Sequence, residues 1–177
     1  MNRKASKRSV TIDIAEPSAA WRAVLPRRRA LCRAAALAAL AAAPSGPAAG
    51  ATELSIVLGD DALLRRLNRQ WRGKDKPTNV LAFPADDGTS PSGAPFLLGD
   101  VILAFGTVAG EAAAQGKTLA AHLSHLVVHG VLHLLGFDHE EAAAATRMEA
   151  LETALLAGIG IADPYRPGEK PLRVRHG

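Results

Sequence analysis

Twenty consecutive residues, Thr118–Phe137, contain no Asp, Glu, Lys or Arg, and four of them are histidines. An apolar run of this kind is about as long as a membrane span. Imidazoles at membrane depth are costly, so the run reads instead as a helix buried within a soluble fold. A buried helix must find partners for every polar group it carries. The histidines are therefore what any fold of this chain has to accommodate.

Their spacing is specific. Five of the six histidines fall between His122 and His139. His129 and His133 are four residues apart, which places them one above the other on a single helical face. Gly136 stands where a left-handed helix cap favours glycine. A turn there brings His139 back towards the first two rings. Three imidazoles with one open coordination position is the layout of a catalytic metal site, not of a closed structural one. The single cysteine, Cys32, excludes a disulfide framework and Cys-rich zinc motifs. Imidazole also suits nickel and copper, so ligand type alone leaves the metal open. The spacing H-x3-H-x2-G-x2-H matches the metzincin pattern, except that Gly130 stands where those peptidases carry their general-base Glu. Peptidase chemistry is disfavoured accordingly. His122 and His125 lie one or two turns earlier on the same stripe. They read equally as partners of the ligands, as a substrate wall or as packed core. Asp138 reads as orienting a ligand or capping the turn, with proton acceptor as the lesser reading.

Composition bounds the rest. The chain has 177 residues, 48% of them apolar and 4% aromatic. That suits one domain with a real core, excludes disorder as the main state, and argues against aromatic stacking platforms for bases. Charge is uneven. Residues 1–33 hold nine Lys and Arg against Asp13 and Glu16, whereas residues 34–177 hold twelve against fifteen acids. The basic end reads equally as a phosphate-contacting arm and as a solvated end. Arg27–Arg29 before the alanine-rich Ala30–Ala43 resembles a signal peptide, but it starts late, Arg33 interrupts it, and a strand precedes it.

The pattern predicts strands at Val10–Ile14, Glu53–Leu58, Asn79–Phe83 and Leu97–Phe105, with Gly99 marking a bulge or a close backbone approach. Helices are expected at 18–43 with the apolar stripe Trp21, Val24, Leu25, Leu31, Leu37 and Leu40, then at 60–71, 107–115, 118–135 and 140–157. Asp60 and Asp61 supply carboxylates at the start of the second. Loops are expected at 44–52 and 86–95. Residues 1–9 read as a basic flexible end, 10–165 as a single domain and 166–177 as a polar tail. This order suits an α+β or α/β fold with a small mixed sheet.

His129–His139 (HGVLHLLGFDH) resembles the signature of the YbeY family of bacterial endoribonucleases and rRNA maturation factors, with Phe137 in place of the usual Tyr. Leu67–Pro84 (LNRQWRGKDKPTNVLAFP) resembles the family's LNxxyRxxdxPTDVLSFP. Leu98–Ile102 (LGDVI), Glu149–Glu152 (EALE) and Gly160–Tyr165 (GIADPY) also fit, so the likeness covers about residues 50–165. It implies an α+β, zincin-like fold, with a small mixed sheet packed with about five helices and the metal site on a central helix and its following turn. It implies one zinc ion on His129, His133 and His139, and Arg72 as the catalytic arginine, a residue that reads as a solvated turn position without it. It implies a cytoplasmic, single-strand-specific endoribonuclease acting in rRNA maturation, at the 3′ end of 16S rRNA, and in ribosome quality control. The implied partners are single-stranded RNA, rRNA, the small ribosomal subunit and its associated proteins, with neither DNA nor membrane. Zinc would activate water, Arg72 would pair with a phosphate, and Lys74, Lys76 and the basic N-terminal segment would hold flanking phosphates. The alternative is a non-catalytic ribosome-assembly factor with a structural zinc. Asn79 and Ala82 depart from the family's usual Asp and Ser, which puts any role of that carboxylate in doubt.

Overall fold

The computed structural model describes residues 9–43, 51–85, 94–137 and 140–166. The remaining segments include most of both expected loops, the basic N-terminal residues and nearly all of the expected tail, which lie outside it. The four expected strands are present: β1 (Ser9–Ala15), β2 (Ala51–Gly59), β3 (Val80–Pro84) and β4 (Phe96–Ala104). They form one mixed sheet in the order β1-β2-β4-β3. β1 and β4 both run parallel to β2, and β3 closes one edge antiparallel to β4. Leu54 pairs with Gly99 while Glu53 pairs with Leu97, so Leu98 is the extra residue of a bulge. The bulge shifts the alternation and puts Leu98 into the core together with Val101 and Leu103. Gly99 makes the close approach as well: a Cβ there would stand 2.2 Å from the Phe83 carbonyl oxygen.

Six helices are described: α1 (Ala19–Val24), α2 (Arg28–Ala41), α3 (Asp61–Arg72), α4 (Phe105–Ala114), α5 (Leu119–Leu134) and α6 (Ala142–Gly158). The α+β class is as expected, and the sixth helix comes from a break in the first. Pro26 disfavours helical backbone at the residue before it, and Leu25 accordingly sits at φ −130 and ψ 84. The expected apolar stripe is also corrected. Val24 and Leu37 are exposed, and the buried face of α2 is Cys32, Ala35, Ala36 and Ala39. Small side chains let α2 lie close against α5, while Trp21, Leu25 and Leu40 of the expected stripe are in or against the core as expected. Phe105 opens α4 and does not end β4, where its ring meets Trp21 edge-on at 5.1 Å.

The sheet separates two packing layers. The main core lies between one face and α2, α5 and α6. On the other face α3 packs Leu63, Leu64 and Leu67 against Leu81, Phe83, Ile102 and Ala104. Asp60 caps α3, accepting from the Leu63 N–H at 2.8 Å. Asp61 instead accepts from the Thr107 backbone and hydroxyl, both at 2.9 Å, and ties α3 to α4. α5 is the central helix, buried over most of its circumference as its sequence predicts. Among the described residues no helix is long and apolar enough to cross a membrane.

The start of α2 carries Arg27, Arg28 and Arg29 where the helix dipole disfavours positive charge. Glu16 offsets them, 2.8 Å from Arg28 and 3.3 Å from Arg29. The hydrogen bond from Arg28, against the opposing effect of burial, holds the Glu16 carboxyl below its ordinary 4.5. A carboxyl lowered in the folded state stabilises the fold above its unfolded pKa and loses that contribution as pH falls. Glu16→Gln is therefore expected to lower the urea midpoint at pH 7. The gap from wild type should narrow once pH drops below 4.5, read from urea titrations at both pH values.

Candidate metal centre

The local sequence builds α5 at both ends. Thr118 caps its start, accepting from the Ala121 N–H at 3.1 Å. At its end the Gly136 N–H donates to the His133 carbonyl and the Phe137 N–H to the Leu132 carbonyl, each at 3.0 Å. With Gly136 at φ +91 this is the glycine-closed helix terminus that the spacing predicts. His139 and Asp138 follow it and lie outside the described residues.

His122, His125, His129 and His133 run along α5 at three- and four-residue intervals, and carboxylates from two other helices meet them. Glu152 of α6 is fully buried. It accepts from His129 Nδ1 at 2.6 Å, from His125 Nε2 at 3.0 Å and from the Tyr165 hydroxyl. Burial alone would push the Glu152 carboxyl up; the three donors outweigh it and bring it down to about 2. Burial, and then Glu152 itself, push the Tyr165 hydroxyl up, so it stays protonated and donates. Glu111 of α4 lies 2.7 Å from His122 Nε2. Burial pushes His122 down more than Glu111 raises it, so the ring is neutral at pH 7 and its Nε2–H donates. His122 and His125 are thus held by carboxylates and also line a cavity; they are not merely packed core.

The consequence for metal binding lies in the His129 tautomer. A proton on Nδ1, donated to Glu152, makes Nε2 the lone-pair nitrogen of the ring. That Nε2 lies 3.0 Å from Nε2 of His133. Two nitrogens bound to one tetrahedral zinc at ~2.0–2.1 Å would stand about 3.3 Å apart. The two rings therefore converge as ligands of one ion do. A second group, His125, His129 and Glu152, also offers donor atoms that all lie within 4.8 Å of one another. Both arrangements include His129.

Arg72, the last residue of α3, lines a cleft of about 350 Å³ with Asn79, Ala82, His129, Gly130 and His133. The structure thus gathers Arg72 and two of the three expected ligands, from α3 and α5, around one space. A larger cavity of about 730 Å³ adjoins it, sharing Asn79, Val80 and His129 and adding Glu111, His122, His125 and Tyr165. Asn79 Nδ2 donates to the two Glu111 oxygens at 3.2 and 3.0 Å. An Asp at 79 would set carboxylate against carboxylate. Lys74 and Lys76 are exposed on the turn after α3.

A family model described as endoribonuclease YbeY matches residues 28–160. The chain belongs to this family. The "Endoribonuclease YbeY" of Paramagnetospirillum magneticum is 59% identical over 162 residues, covering 89% of this chain and 98% of that protein. The protein of the same description from Rhodospirillum rubrum is 54% identical over 160 residues, 85% of this chain and 79% of that one. A solution structure of a Thermotoga maritima protein overlays with a TM-score of 0.48 at 20% identity, covering 89% of this chain and 99% of that one.

The YbeY match begins inside α2, earlier than the motifs alone reached. The sequence marks Glu152 only within the family-like block Glu149–Glu152 and does not mark Glu111 or Tyr165 as site residues. One signal for Glu152 was present. Met148, Glu152 and Leu156 recur every four residues along α6 and are all buried, so the one acid on that stripe needed buried donors. Glu111 and Tyr165 carry no comparable local signal.

Gly130 explains why the peptidase-type carboxylate is absent. A Cβ at 130 would stand 2.7 Å from Cγ1 of the buried Val101 on β4. Overpacking of this kind costs typically 1–3 kcal/mol, of which about 1 kcal/mol is returned by helix propensity. Gly130→Ala is expected to lower stability by about 1 kcal/mol, read as a fall in melting temperature, although alanine favours helix.

Proposed function

We propose that this YbeY-family chain is a metal-dependent endoribonuclease that hydrolyses phosphodiester bonds in single-stranded RNA. In this reading it acts in rRNA maturation, at the 3′ end of 16S rRNA, and in ribosome quality control, in the cytoplasm and in company with the small ribosomal subunit. The observation that carries the chemistry is the cleft that joins Arg72 to His129 and His133.

The residues present fit one zinc ion. His129, His133 and His139 would hold it, with Glu152 behind His129. Glu152 is better suited to this supporting role than to direct ligation, because three donors already engage its two oxygens. When bound, zinc supplies Lewis acidity for the scissile phosphate and an acidified water. The remaining work belongs to the chain. The planar guanidinium of Arg72 binds the phosphate in two-point fashion, at a position free to meet a ligand from solvent. Glu152 holds the proton on His129 Nδ1 and so keeps Nε2 turned to the cleft. Glu111, Asn79 and His122 keep the adjoining cavity polar and fixed in shape.

Two measurements test this reading. With metal-replete protein and a single-stranded RNA, His133→Ala and Arg72→Ala should each cut cleavage by at least about 100-fold. Equal activity in all three proteins would identify a contaminating nuclease. If the metal were only structural, His133→Ala would lose stability with no turnover to lose, and wild type would not cleave. Separately, Glu152→Gln should weaken zinc binding by about 10- to 100-fold, measured by competition with a chromophoric chelator. Unchanged affinity would show that the carboxylate does not support the ligand.

A further inference from the structure

Residues 65–76 hold Arg65, Arg66, Arg69, Arg72, Lys74 and Lys76 against the single acid Asp75, within a stretch of the chain that is otherwise acidic. All seven are exposed. Arg65 is paired with Asp75 through two contacts, at 2.9 and 3.1 Å. Arg65, Arg69 and Arg72 follow one another at four- and three-residue steps on one face of α3. Beside them stands Trp71, 64% exposed, whereas the second tryptophan, Trp21, is fully buried.

The exposure of Trp71 has a geometric origin. Leu64, Leu67 and Trp71 lie on the face of α3 turned to the sheet, but β3 is the edge strand, so the stripe runs past the sheet. Trp71 meets the Phe83 ring, with centroids 6.0 Å apart and planes tilted by 55°. Alternation along β3 puts Phe83 on the α3 side, while Ala82 and Pro84 on the other side line the Arg72–His129–His133 cleft. A chain leaving that cleft over the β3 edge therefore meets an aromatic face with cations alongside. A stacking surface next to a line of positive charge suits a single-stranded polynucleotide, because every base has a π-face and every nucleotide a phosphate.

We propose that the exposed side of α3, with Trp71 at its sheet-edge rim as a stacking platform and Arg66 and Arg69 further round the helix as phosphate contacts, is a binding track for the single-stranded RNA that extends out of the cleft. This rests on the reading that the cleft receives RNA. It adds a partner surface on the opposite side of the sheet from the ligand histidines.

The two tryptophans make the test direct, since of the pair only Trp71 is exposed to an oligonucleotide. The full chain is mixed with a 12-nucleotide oligouridylate in a stopped-flow instrument, tryptophan fluorescence is followed over the binding phase, and affinity is read for every variant from the anisotropy of a fluorescein-labelled copy of the oligonucleotide as salt is varied. Wild type should be quenched on binding. Trp71→Ala should lose the quench and weaken binding by about 5- to 100-fold, with Trp71→Phe recovering some of the affinity. Arg66→Ala and Arg69→Ala should each reduce the slope of log affinity against log salt by about 0.7. Unaltered affinity in Trp71→Ala, or an unaltered salt slope in both arginine variants, overturns the track. Polyglutamate competing as well as RNA would assign the face to an acidic protein and overturn it too. Wild type that binds, quenches and shows the expected slopes but does not cleave supports the track and removes the catalytic reading. Cleavage with no effect of Trp71→Ala does the reverse.

Discussion

A carboxylate sealed from water organises the functional half of this molecule. Glu152 is fully buried, and such a charge is tolerable only where donors replace the water it has lost. Three donors do so, two imidazoles of α5 and the Tyr165 hydroxyl from the segment after α6. The same contacts dock α6 on α5, hold the chain near residue 165 against the site, and set the tautomer of His129. Packing, electrostatics and the orientation of the His129 ring thus share one group. Glu111 has a parallel role at the preceding end of the same helix, where it holds His122 and in turn is held by Asn79.

The charges are divided between two sides. Anionic acceptors stand behind the histidine rings, within the helical layer. Cations stand in front, on α3 and the turn after it, where Arg72 reaches the cleft around the β3 edge. Arg72 is the cation that lines the cleft beside His129 and His133. Asn79 keeps this division clean, since it donates to Glu111 without adding a second negative charge beside the cleft. The departure from the family's usual Asp is therefore compatible with the site, and this amide has a defined partner.

What could be read in advance depended on range. The convergence of His129 and His133, the glycine-closed end of α5 and the burial of that helix all follow from spacing within a few turns, and all are present. The break at Pro26 was also local, but the strong alanine and leucine periodicity on either side of it outweighed a single proline. The seam of α2 does not show in the apolar pattern because it consists of Cys32 and alanines, whose burial depends on how closely a neighbouring helix approaches and not on their own hydrophobicity. Glu152 is 23 residues from His129 and Glu111 is 11 from His122, so no periodicity links either acid to its histidine.

The amino-acid sequence by itself determined the elements that backbone hydrogen bonding and side-chain period dictate: four strands, a central uncharged helix, and imidazoles stacked along one of its faces. Only the tertiary structure decided which acids stand behind those rings, that Arg72 shares their cleft, and that Trp71 overhangs the sheet edge. The reason is physical. Contacts one helical turn apart are set by a fixed rise and rotation per residue. Contacts between elements are set by how the two faces of a twisted sheet pack their layers, and that depends on all of the side chains at once.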